Sequence, residues 1–384
     1  MLYSSHSSTQ NALSSSYSFR FSASHGAGVM RILIVKTSSL GDIIHGFPVL
    51  AFLHQQFPKI KVDWVVEKSF AEIVKSHPLV ERVIEIDTKS WRKRPFSLKT
   101  WSSILSFRSA LQQQEYAAVI DLQGNTKSAI PTFLARSAHK VGFGAKSLHE
   151  WPNRWVTHHH FDPPKEINVR DENVYLVQHY FQCYSPLKEE KLILNLSKEQ
   201  KGVFDLLWNK IKELPGQKIL VCAGSAWRNK RLSYEALESF LYEISSNLKV
   251  SLILVWGNAE ELAIAQKLQA ALVTNVSLLD KVSLAVLQNL MSRIDAVIAM
   301  DSLPLHLAGM SGTPSFSVFG ASSARKYKPK GSLHEAIQGE CPYGRTFERR
   351  CPVLRSCPTG LCIRGLSGKY LFQQFAHFYS QLKN

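Results

Sequence analysis

Short apolar runs alternate with amphipathic segments along the chain from Met30 onward. Runs such as Ile32–Val35 and Leu252–Val255 are bounded by polar or turn residues, which is typical of buried strands, and the segments between runs carry apolar residues at helical spacing. Strands that alternate with helices predict right-handed βαβ units, with a parallel sheet and helices on both of its faces. No run reaches the ~20 consecutive apolar residues that a membrane-spanning helix requires.

The pattern predicts two successive rounds of such units. In the first round, the strands are expected at Arg31–Lys36, Val62–Val66, Val83–Ile86 and Ala118–Leu122, and the helices at Ile43–Phe57, Phe70–Ser76, Leu98–Gln114, Lys127–Ala135 and Glu172–Cys183. In the second round, the strands are expected at Lys218–Cys222, Val250–Trp256, Val276–Leu279, Ala296–Met300 and Ser315–Phe319, and the helices at Tyr234–Ser245, Ala259–Ala271, Leu284–Met291 and Leu305–Met310. A last amphipathic helix is expected over Lys369–Leu382.

The domain organisation follows from these two rounds and from the length of 384 residues, which exceeds what one hydrophobic core usually serves. We expect an α/β protein with one doubly wound, Rossmann-like domain over residues 30–190, a second over 191–365 and a C-terminal helix over 366–384. Residues 1–29 are rich in serine and are predicted to be a disordered or mis-started extension, with a transit peptide as the weaker alternative. Ligands of such sheets bind beyond the carboxyl ends of the strands, so we expect the two domains to face each other across a cleft.

The chain is strongly basic, with a net charge of +16. This charge leaves three kinds of partner open: nucleic acid, an anionic membrane surface and a phosphorylated substrate. The positive residues concentrate at Lys89–Arg94 and Arg345–Arg355, but aromatic residues do not alternate with them as a single-strand-binding surface requires. The sequence therefore favours the membrane and the phosphorylated substrate over nucleic acid.

Four polar loops follow predicted strands, at Lys36–Asp42, Ala223–Arg231, Trp256–Glu261 and Asp301–Gly309. Small residues at a strand-to-helix junction leave backbone N–H groups free to bind an anion, and the cations of the second loop suit a diphosphate. Each loop also has a purely structural interpretation: Asp42 suits a helix cap, Glu261 suits a helix start, and His306 suits a packed core. Four such loops, all at strand ends, make a binding site the better interpretation. The loops lack the G-x-G-x-x-G pattern of dinucleotide-binding oxidoreductases.

Together these loops resemble glycosyltransferase family 9, the ADP-heptose:lipopolysaccharide heptosyltransferases, and most closely the heptosyltransferase I branch. The resemblance covers about residues 30–320 in matching order and spacing. It is carried by Lys36–Asp42, Asp63–Glu67, Trp91–Lys93 with Phe96-Ser97, Asp121–Gly124 with Lys127–Ala129, the Lys230 loop, Trp256-Gly257 with Glu261, and Asp301-Ser302 with His306. It implies the GT-B fold and an inverting transfer of heptose from ADP-L-glycero-β-D-manno-heptose to the Kdo sugar of Kdo2-lipid A, in lipopolysaccharide inner-core biosynthesis.

The resemblance also implies a role for individual residues. Asp42 would be the general base that deprotonates the acceptor hydroxyl. Donor-binding roles fall to Lys230 and Ser225 near the leaving diphosphate, Glu261 at the adenosine ribose, Asp301 at the heptose, and Ser302, Leu303 and His306 at the diphosphate. Acceptor-binding roles fall to Ser39, Gly41, Lys89, Arg92, Lys93 and His149.

The same resemblance implies partners and a location. The donor would be ADP-heptose and the acceptor Kdo2-lipid A. The protein would be peripheral on the cytoplasmic face of the bacterial inner membrane, with no nucleic acid as a partner. No cofactor and no metal is expected, because cations and helix N-termini stabilise the leaving diphosphate and no Asp-x-Asp motif follows a strand.

The chain departs from the family pattern at three positions. Leu303 stands where the family usually has glycine, so a Cβ there restricts the backbone and the approach of a phosphate. Ala226 replaces a hydroxyl residue, and His149 stands where an arginine is expected for the acceptor.

Two clusters of potential metal ligands stay ambiguous. Cys341, Cys351, Cys357 and Cys362 lack the C-x2-C spacing of zinc sites, so reduced thiols are favoured over a metal or disulfides. His158–His160 alternates faces if it is extended, and a solvated surface is the simpler interpretation.

Three rival functions remain. Heptosyltransferase II, or another family 9 transferase with a different acceptor, is disfavoured by the Lys36–Asp42 residues. A nucleotide-sugar epimerase could share the architecture, but the basic Lys89–Lys93 stretch suits an acceptor that an epimerase lacks. A non-catalytic basic binding module would bind nucleic acid with steep salt dependence and release no ADP.

Overall fold

The computed structural model describes residues 29–188, 191–272 and 275–382, and the chain divides between residues 189 and 190 into two compact units. Most of the predicted N-terminal extension lies outside the described residues. Within these ranges, no helix is long and apolar enough to cross a bilayer.

The first unit is a six-stranded parallel sheet flanked by helices. Its strands are β1 (Arg31–Val35), β2 (Lys61–Glu67), β3 (Arg82–Ile86), β4 (Ala118–Asp121), β5 (Lys140–Phe143) and β6 (His159–Phe161), in the spatial order β3-β2-β1-β4-β5-β6. Its helices are α1 (Leu40–Gln56), α2 (Ala71–Lys75), α3 (Thr88–Lys93), α4 (Leu98–Gln112), α5 (Thr126–Leu134) and α6 (Val169–Phe181), with 3-10 turns at Lys68–Phe70 and Trp151–Trp155. Order and connectivity are those of a doubly wound fold.

The central strands of this sheet are the most apolar ones. β1 pairs with β2 on one side and β4 on the other, and Ile32–Val35 are fully buried. Burial on both faces explains why these strands are continuous apolar runs rather than alternating ones.

The second unit repeats this plan. Its strands are β7 (Gln217–Cys222), β8 (Val250–Leu254), β9 (Val276–Leu278), β10 (Ala296–Met300), β11 (Ser315–Phe319) and β12 (His334–Gln338), all parallel, in the order β12-β11-β10-β7-β8-β9. Its helices are α7 (Lys198–Lys212), α8 (Tyr234–Asn247), α9 (Ala259–Ala271), α10 (Leu284–Met291), α11 (Leu303–Ser311), α12 (Ala324–Tyr327), α13 (Leu361–Arg364) and α14 (Gly368–Gln381), with 3-10 turns at Arg228–Lys230 and Leu354–Ser356.

The last helix, α14, belongs to the core of the second unit. Phe375 is fully buried, and its ring lies 5.9 Å from that of Phe240 on α8 and 5.4 Å from that of Phe316 on β11. A Cβ at Gly368 would lie 2.6 Å from the Ala236 carbonyl oxygen, so glycine allows α14 to begin against α8. Of the segment expected as a separate helix over 366–384, residues 368–381 are helical, and they pack as part of the second unit.

The predicted strands are confirmed, but among the described residues the pattern missed three strands and four helices, most of them short or polar. β6 and β12 lie at sheet edges, where one side of the strand needs no partner, and His159–Phe161 and His334–Gln338 contain few apolar residues. β5, next to β6, was missed as well, and so were the helices α3, α7, α12 and α13. α3 is a basic helix without a buried residue, and α7 buries only Leu207 and Ile211.

A buried carboxylate ties the start of β1 to β2 and β3. Asp63 is fully buried; its Oδ1 accepts from Arg31 Nη1 at 2.7 Å and its Oδ2 lies 3.2 Å from Arg82 Nε. The Tyr116 hydroxyl donates to Oδ2 at 3.0 Å, and burial, together with the Asp63 charge, raises the pKa of Tyr116.

Asp63→Ala should lower the free energy of unfolding by about 2 kcal/mol, since it removes the carboxylate shared by two partly buried guanidinium groups and a phenol. Urea unfolding followed by tryptophan fluorescence measures this change. Glu81→Ala is the matched control, because Glu81 forms an exposed pair with Lys61 at 2.9 Å, and its loss should cost less than about 0.5 kcal/mol. Equal effects of the two substitutions would contradict the structural role of Asp63.

Candidate active site

The loop between β1 and α1 is held in place by β2 and β4. Trp64 Nε1 donates to the Lys36 carbonyl oxygen at 3.0 Å, and the buried Lys36 ammonium donates to the Leu122 carbonyl oxygen. The backbone N–H of Ser38 donates to Gln123 Oε1 at 3.3 Å. The loop that begins α1 therefore has a defined position at the carboxyl edge of the sheet.

Asp42 is the third residue of α1, where its carboxylate faces the helix N-terminus. Its Oδ2 accepts from the Ser39 N–H at 3.2 Å and from the Ser39 hydroxyl at 2.8 Å, while Gly41 lies between the two residues. The expected helix cap is thus confirmed, with Ser39 as the N-cap residue and Asp42 as its partner in a capping box. A cap favours the ionised carboxylate, which is also the form that a general base needs, so capping and catalysis are compatible.

Two buried acids to which the sequence motifs assigned no role stabilise the neighbouring loops. Glu67, at the end of β2, pairs with the Lys127 ammonium and accepts from the Thr88 hydroxyl. Asp121, at the end of β4, accepts from the N–H groups of Gln123 at 2.8 Å and Gly124 at 2.9 Å. A carboxylate directly after an apolar strand is the signal that could have found both.

The residues assigned to the acceptor lie on two segments of the first unit. Lys89, Arg92 and Lys93 are exposed on α3, which Asp87 caps by accepting from the Ser90 N–H at 3.1 Å. His149 is exposed after β5, and its N–H donates to the Gly124 carbonyl oxygen at 3.2 Å. α3 follows β3 as α1 follows β1, so both helices begin at the carboxyl edge of the same sheet.

In the second unit, Lys230 and Asp301 form a buried ion pair. Lys230 Nζ lies 2.5 Å from Asp301 Oδ2 and 4.9 Å from the centre of the Trp227 ring. Burial by itself raises the pKa of Asp301, but the charge and hydrogen bond of Lys230, with smaller contributions from Ser322 and His306, outweigh it, and the pKa lies below its usual value. The structure thus brings together two residues that were assigned separately, at the ends of β7 and β10.

Glu261 closes against the loop that follows β7. Its Oε2 accepts from the Gly257 N–H at 2.8 Å, and its own N–H donates to Asn258 Oδ1 at 3.0 Å. A Cβ at Gly224 would lie 2.3 Å from Glu261 Cδ, so only glycine leaves room for this carboxyl group. A cavity of about 180 Å³ opens beside it, lined mainly by apolar side chains such as Leu254 and Ile264.

The other residues assigned to donor binding lie in the loops after β7 and β10. Ser225 is buried, and its carbonyl oxygen accepts from Arg231 Nε at 2.6 Å. Ser302 is the N-cap residue of α11, and Leu303 and His306 lie in its first turns. Leu303 is not among the described residues with positive φ, so its side chain imposes no backbone strain in place of glycine. The backbone strain expected from Leu303 is therefore absent, although the Cβ of Leu303 still occupies space near the N-terminus of α11.

A basic pocket of about 510 Å³, which the sequence motifs did not predict, lies beside Trp227. Arg228, Arg355 and Arg364 line it, and the Arg355 guanidinium lies 4.3 Å from the centre of the Trp227 ring. The basic composition of Arg345–Arg355 was the available signal, but it did not indicate that Trp227 is the neighbour.

The six cysteines are free thiols. Four of them, Cys341, Cys351, Cys357 and Cys362, line one small cavity. Over the described ranges, no group of three or more histidine, cysteine or acidic residues is placed to hold a metal ion.

Lys230→Met should lower the free energy of unfolding at neutral pH by about 3 kcal/mol, since it leaves the Asp301 charge buried and unpaired. Burial then dominates, and the pKa of Asp301 rises above its unfolded value. The stability difference from the wild type should therefore shrink as the pH falls through this raised pKa, and urea unfolding as a function of pH measures it. The double variant Lys230→Met/Asp301→Asn, which carries no charge at either position, is the control and should lack this pH dependence. A pH-independent loss in the single variant would contradict the pairing.

Known proteins are similar to this chain in sequence and in fold. The model of glycosyltransferase family 9 (heptosyltransferase) matches residues 104–356. Lipopolysaccharide heptosyltransferase 1 of Pseudomonas aeruginosa is 32% identical over 338 residues, which cover 84% of this chain and 87% of that protein. The structure of E. coli heptosyltransferase WaaC with ADP superposes with a TM-score of 0.73 at 24% identity, over 91% of this chain and 100% of that one. The structure of WaaC with ADP-2-deoxy-2-fluoro heptose gives a TM-score of 0.71 at 26% identity, over 91% and 99% of the two chains.

The likeness to WaaC confirms the expected fold class, α/β with two Rossmann-like domains of the GT-B type. The family model spans most of the chain, and the Pseudomonas relative aligns with more than four fifths of it. The chain therefore belongs to glycosyltransferase family 9, the heptosyltransferases.

Proposed function

We propose that this glycosyltransferase moves heptose from ADP-heptose to the Kdo sugar of Kdo2-lipid A, a step of lipopolysaccharide inner-core biosynthesis. The observation that carries the proposal is the buried Lys230–Asp301 pair beside the N-terminus of α11, in a chain whose relatives are heptosyltransferases. The pair offers a cation for a diphosphate and an acceptor for sugar hydroxyls at one place.

The second unit would bind the donor. The apolar cavity beside Glu261 suits a planar base such as adenine, and the Glu261 carboxylate can accept hydrogen bonds from ribose hydroxyls. The diphosphate would meet Lys230, with Ser225, Ser302, the Leu303 N–H and His306 as further contacts. Pro304, the second residue of α11, has no N–H, so fewer backbone donors face the anion than in an ordinary helix.

The reaction would be a single displacement with inversion. Asp42 takes the proton of the acceptor hydroxyl, the acceptor oxygen forms a bond to the anomeric carbon, and the bond from that carbon to the diphosphate oxygen breaks. ADP leaves with the bonding electrons, and Lys230 stabilises its developing charge. No step of this scheme requires a cofactor or a metal.

The first unit would bind the acceptor. Lys89, Arg92 and Lys93 on α3 are exposed cations that suit the carboxylates and phosphates of Kdo2-lipid A. Ser39 and Gly41 would lie beside the reacting hydroxyl, and the exposed His149 would lie at the edge of the acceptor site. Such an acceptor places the protein at the cytoplasmic surface of the inner membrane.

A donor screen tests the function. With a Kdo-lipid A acceptor, ADP-heptose should release ADP at least about 100-fold faster than other nucleotide sugars, because Asp301 and the cavity beside Glu261 select both the sugar and the base. Coupled detection of ADP or UDP measures the rates. Equal rates with all donors, or release that does not depend on the acceptor, would contradict the proposal, and salt-sensitive nucleic-acid binding without turnover would identify a binding module instead.

Asp42→Asn should lower kcat by about 100-fold or more, since the amide keeps the cap geometry but cannot accept the proton. The affinity for ADP, measured by calorimetry, should stay within about twofold of the wild type because Asp42 contacts no donor group in this proposal. Asp171→Asn, in the first turn of α6, is the matched control and should leave kcat unchanged. Near-normal turnover by the Asp42 variant would remove Asp42 from the role of base.

A further inference from the structure

Helix α4 has two apolar faces on opposite sides. Phe107 and Leu111 are buried and pack into the core of the first unit, against residues such as Val35 and Ile84. Leu98, Trp101 and Leu105 follow each other at intervals of three and four residues and fall on the opposite side of the helix. An ordinary surface helix has one apolar stripe, so the outer face of α4 needs another explanation.

The outer side chains are strongly exposed. Leu98 is 88% exposed, Trp101 55% and Leu105 61%, and Phe96, in the turn before α4, is 92% exposed. We call these four residues the α4 apolar face. Single exposed apolar residues are common, but four large ones on one helix and its preceding turn mark a binding surface.

The chain segment that carries this face has charges of one sign only. Between Thr88 and Gln114 the sequence contains no acid but six cations, namely Lys89, Arg92, Lys93, Arg94, Lys99 and Arg108. Of the six, Lys89 lies 5.7 Å from the centre of the Phe70 ring. Across residues 29–188, 191–272 and 275–382, none of the six forms an ion pair with an acid. Their charge is therefore available to an anionic partner.

The neighbouring helix, α5, adds to the same kind of surface. Gln112 Nε2, at the end of α4, donates to the Leu134 carbonyl oxygen at the end of α5 at 3.3 Å. α5 exposes Ile130 and Phe133 and contains no acid; its one lysine, Lys127, is already paired with Glu67.

We propose that the α4 apolar face docks on an anionic phospholipid bilayer. Its four side chains would enter the boundary between headgroups and acyl chains, while the six cations meet lipid phosphates. Tryptophan, phenylalanine and leucine opposite a buried face, among Lys and Arg, are the composition of helices that lie in a membrane interface. The core of a protein–protein interface is depleted of charged residues, lysine among them, so six cations around this face favour the lipid surface.

The inference rests on the proposed function in one respect, since it presumes an acceptor held in a membrane. It adds a place and an orientation. α3 directly precedes the α4 apolar face in the chain, so docking through that face would bring Lys89, Arg92 and Lys93 to the level of the lipid headgroups.

The test is co-sedimentation of the full chain with vesicles that contain no acceptor and no donor. The wild type should bind phosphatidylglycerol vesicles, bind phosphatidylcholine vesicles much more weakly, and lose binding as the salt concentration rises. The variant Leu98→Ser/Trp101→Ser/Leu105→Ser should reduce the partition coefficient on phosphatidylglycerol at least tenfold. The matched control is Leu206→Ser/Tyr242→Ser, which removes exposed apolar residues of the second unit and should bind as the wild type does.

Two further measurements keep the test decisive. The unfolding midpoint of the triple variant should equal that of the wild type, because all three side chains are exposed, and turnover should be unchanged with a water-soluble Kdo acceptor but reduced with an acceptor embedded in vesicles. Vesicle binding by the triple variant equal to that of the wild type would overturn the docking proposal. So would a wild-type dimer that the three substitutions dissociate without changing vesicle binding. Absence of heptose transfer with intact vesicle binding would instead contradict the proposed function alone.

Discussion

The parallel pairing of β1 with both β2 and β4 is the constraint on which the first unit depends. Because the three strands run in one direction, their following loops meet at one edge of the sheet. There the loop after β1 receives the Trp64 indole from one neighbour and reaches the Leu122 carbonyl oxygen of the other through Lys36. The start of α1, and with it Asp42, is thereby positioned by β2 and β4, which are distant from it in the sequence.

In the second unit, the loops that carry the candidate residues are positioned by a different interaction. Its loops after β7 and β10 are joined by a buried ion pair. Removing one member of a buried pair lowers the free energy of unfolding far more than removing one member of an exposed pair. The contrast suits the proposed chemistry. A proton acceptor needs contact with the incoming hydroxyl and stays half-exposed, whereas a group that binds a diphosphate gains strength from a dry surrounding.

The sequence predicted the alternation of strands and helices well because buried parallel strands are continuous apolar runs. It located the candidate residues at strand ends for the same reason. It did not predict that Lys230 and Asp301 pair, since 71 residues separate them and only the fold brings them together. The stabilising roles of Glu67 and Asp121, and the placing of Arg355 over Trp227, depend on contacts of the same long-range kind. His159–Phe161 was missed because an edge strand does not need the apolar composition that the pattern detects.

The packing of α14 has a consequence for the order in which the two units fold during synthesis. The first unit is complete once residue 188 has left the ribosome, and its sheet contains no strand from later in the chain. The core of the second unit includes Phe375, Phe378 and Tyr379, which are made after every strand that they cover. Until they emerge, Phe240 and Phe316 have no aromatic partner from α14, and an incomplete chain would expose them to solvent and to chaperones. The unit with Asp42 can therefore fold on the ribosome, and the unit with Lys230 completes its core only after residue 379 has been added.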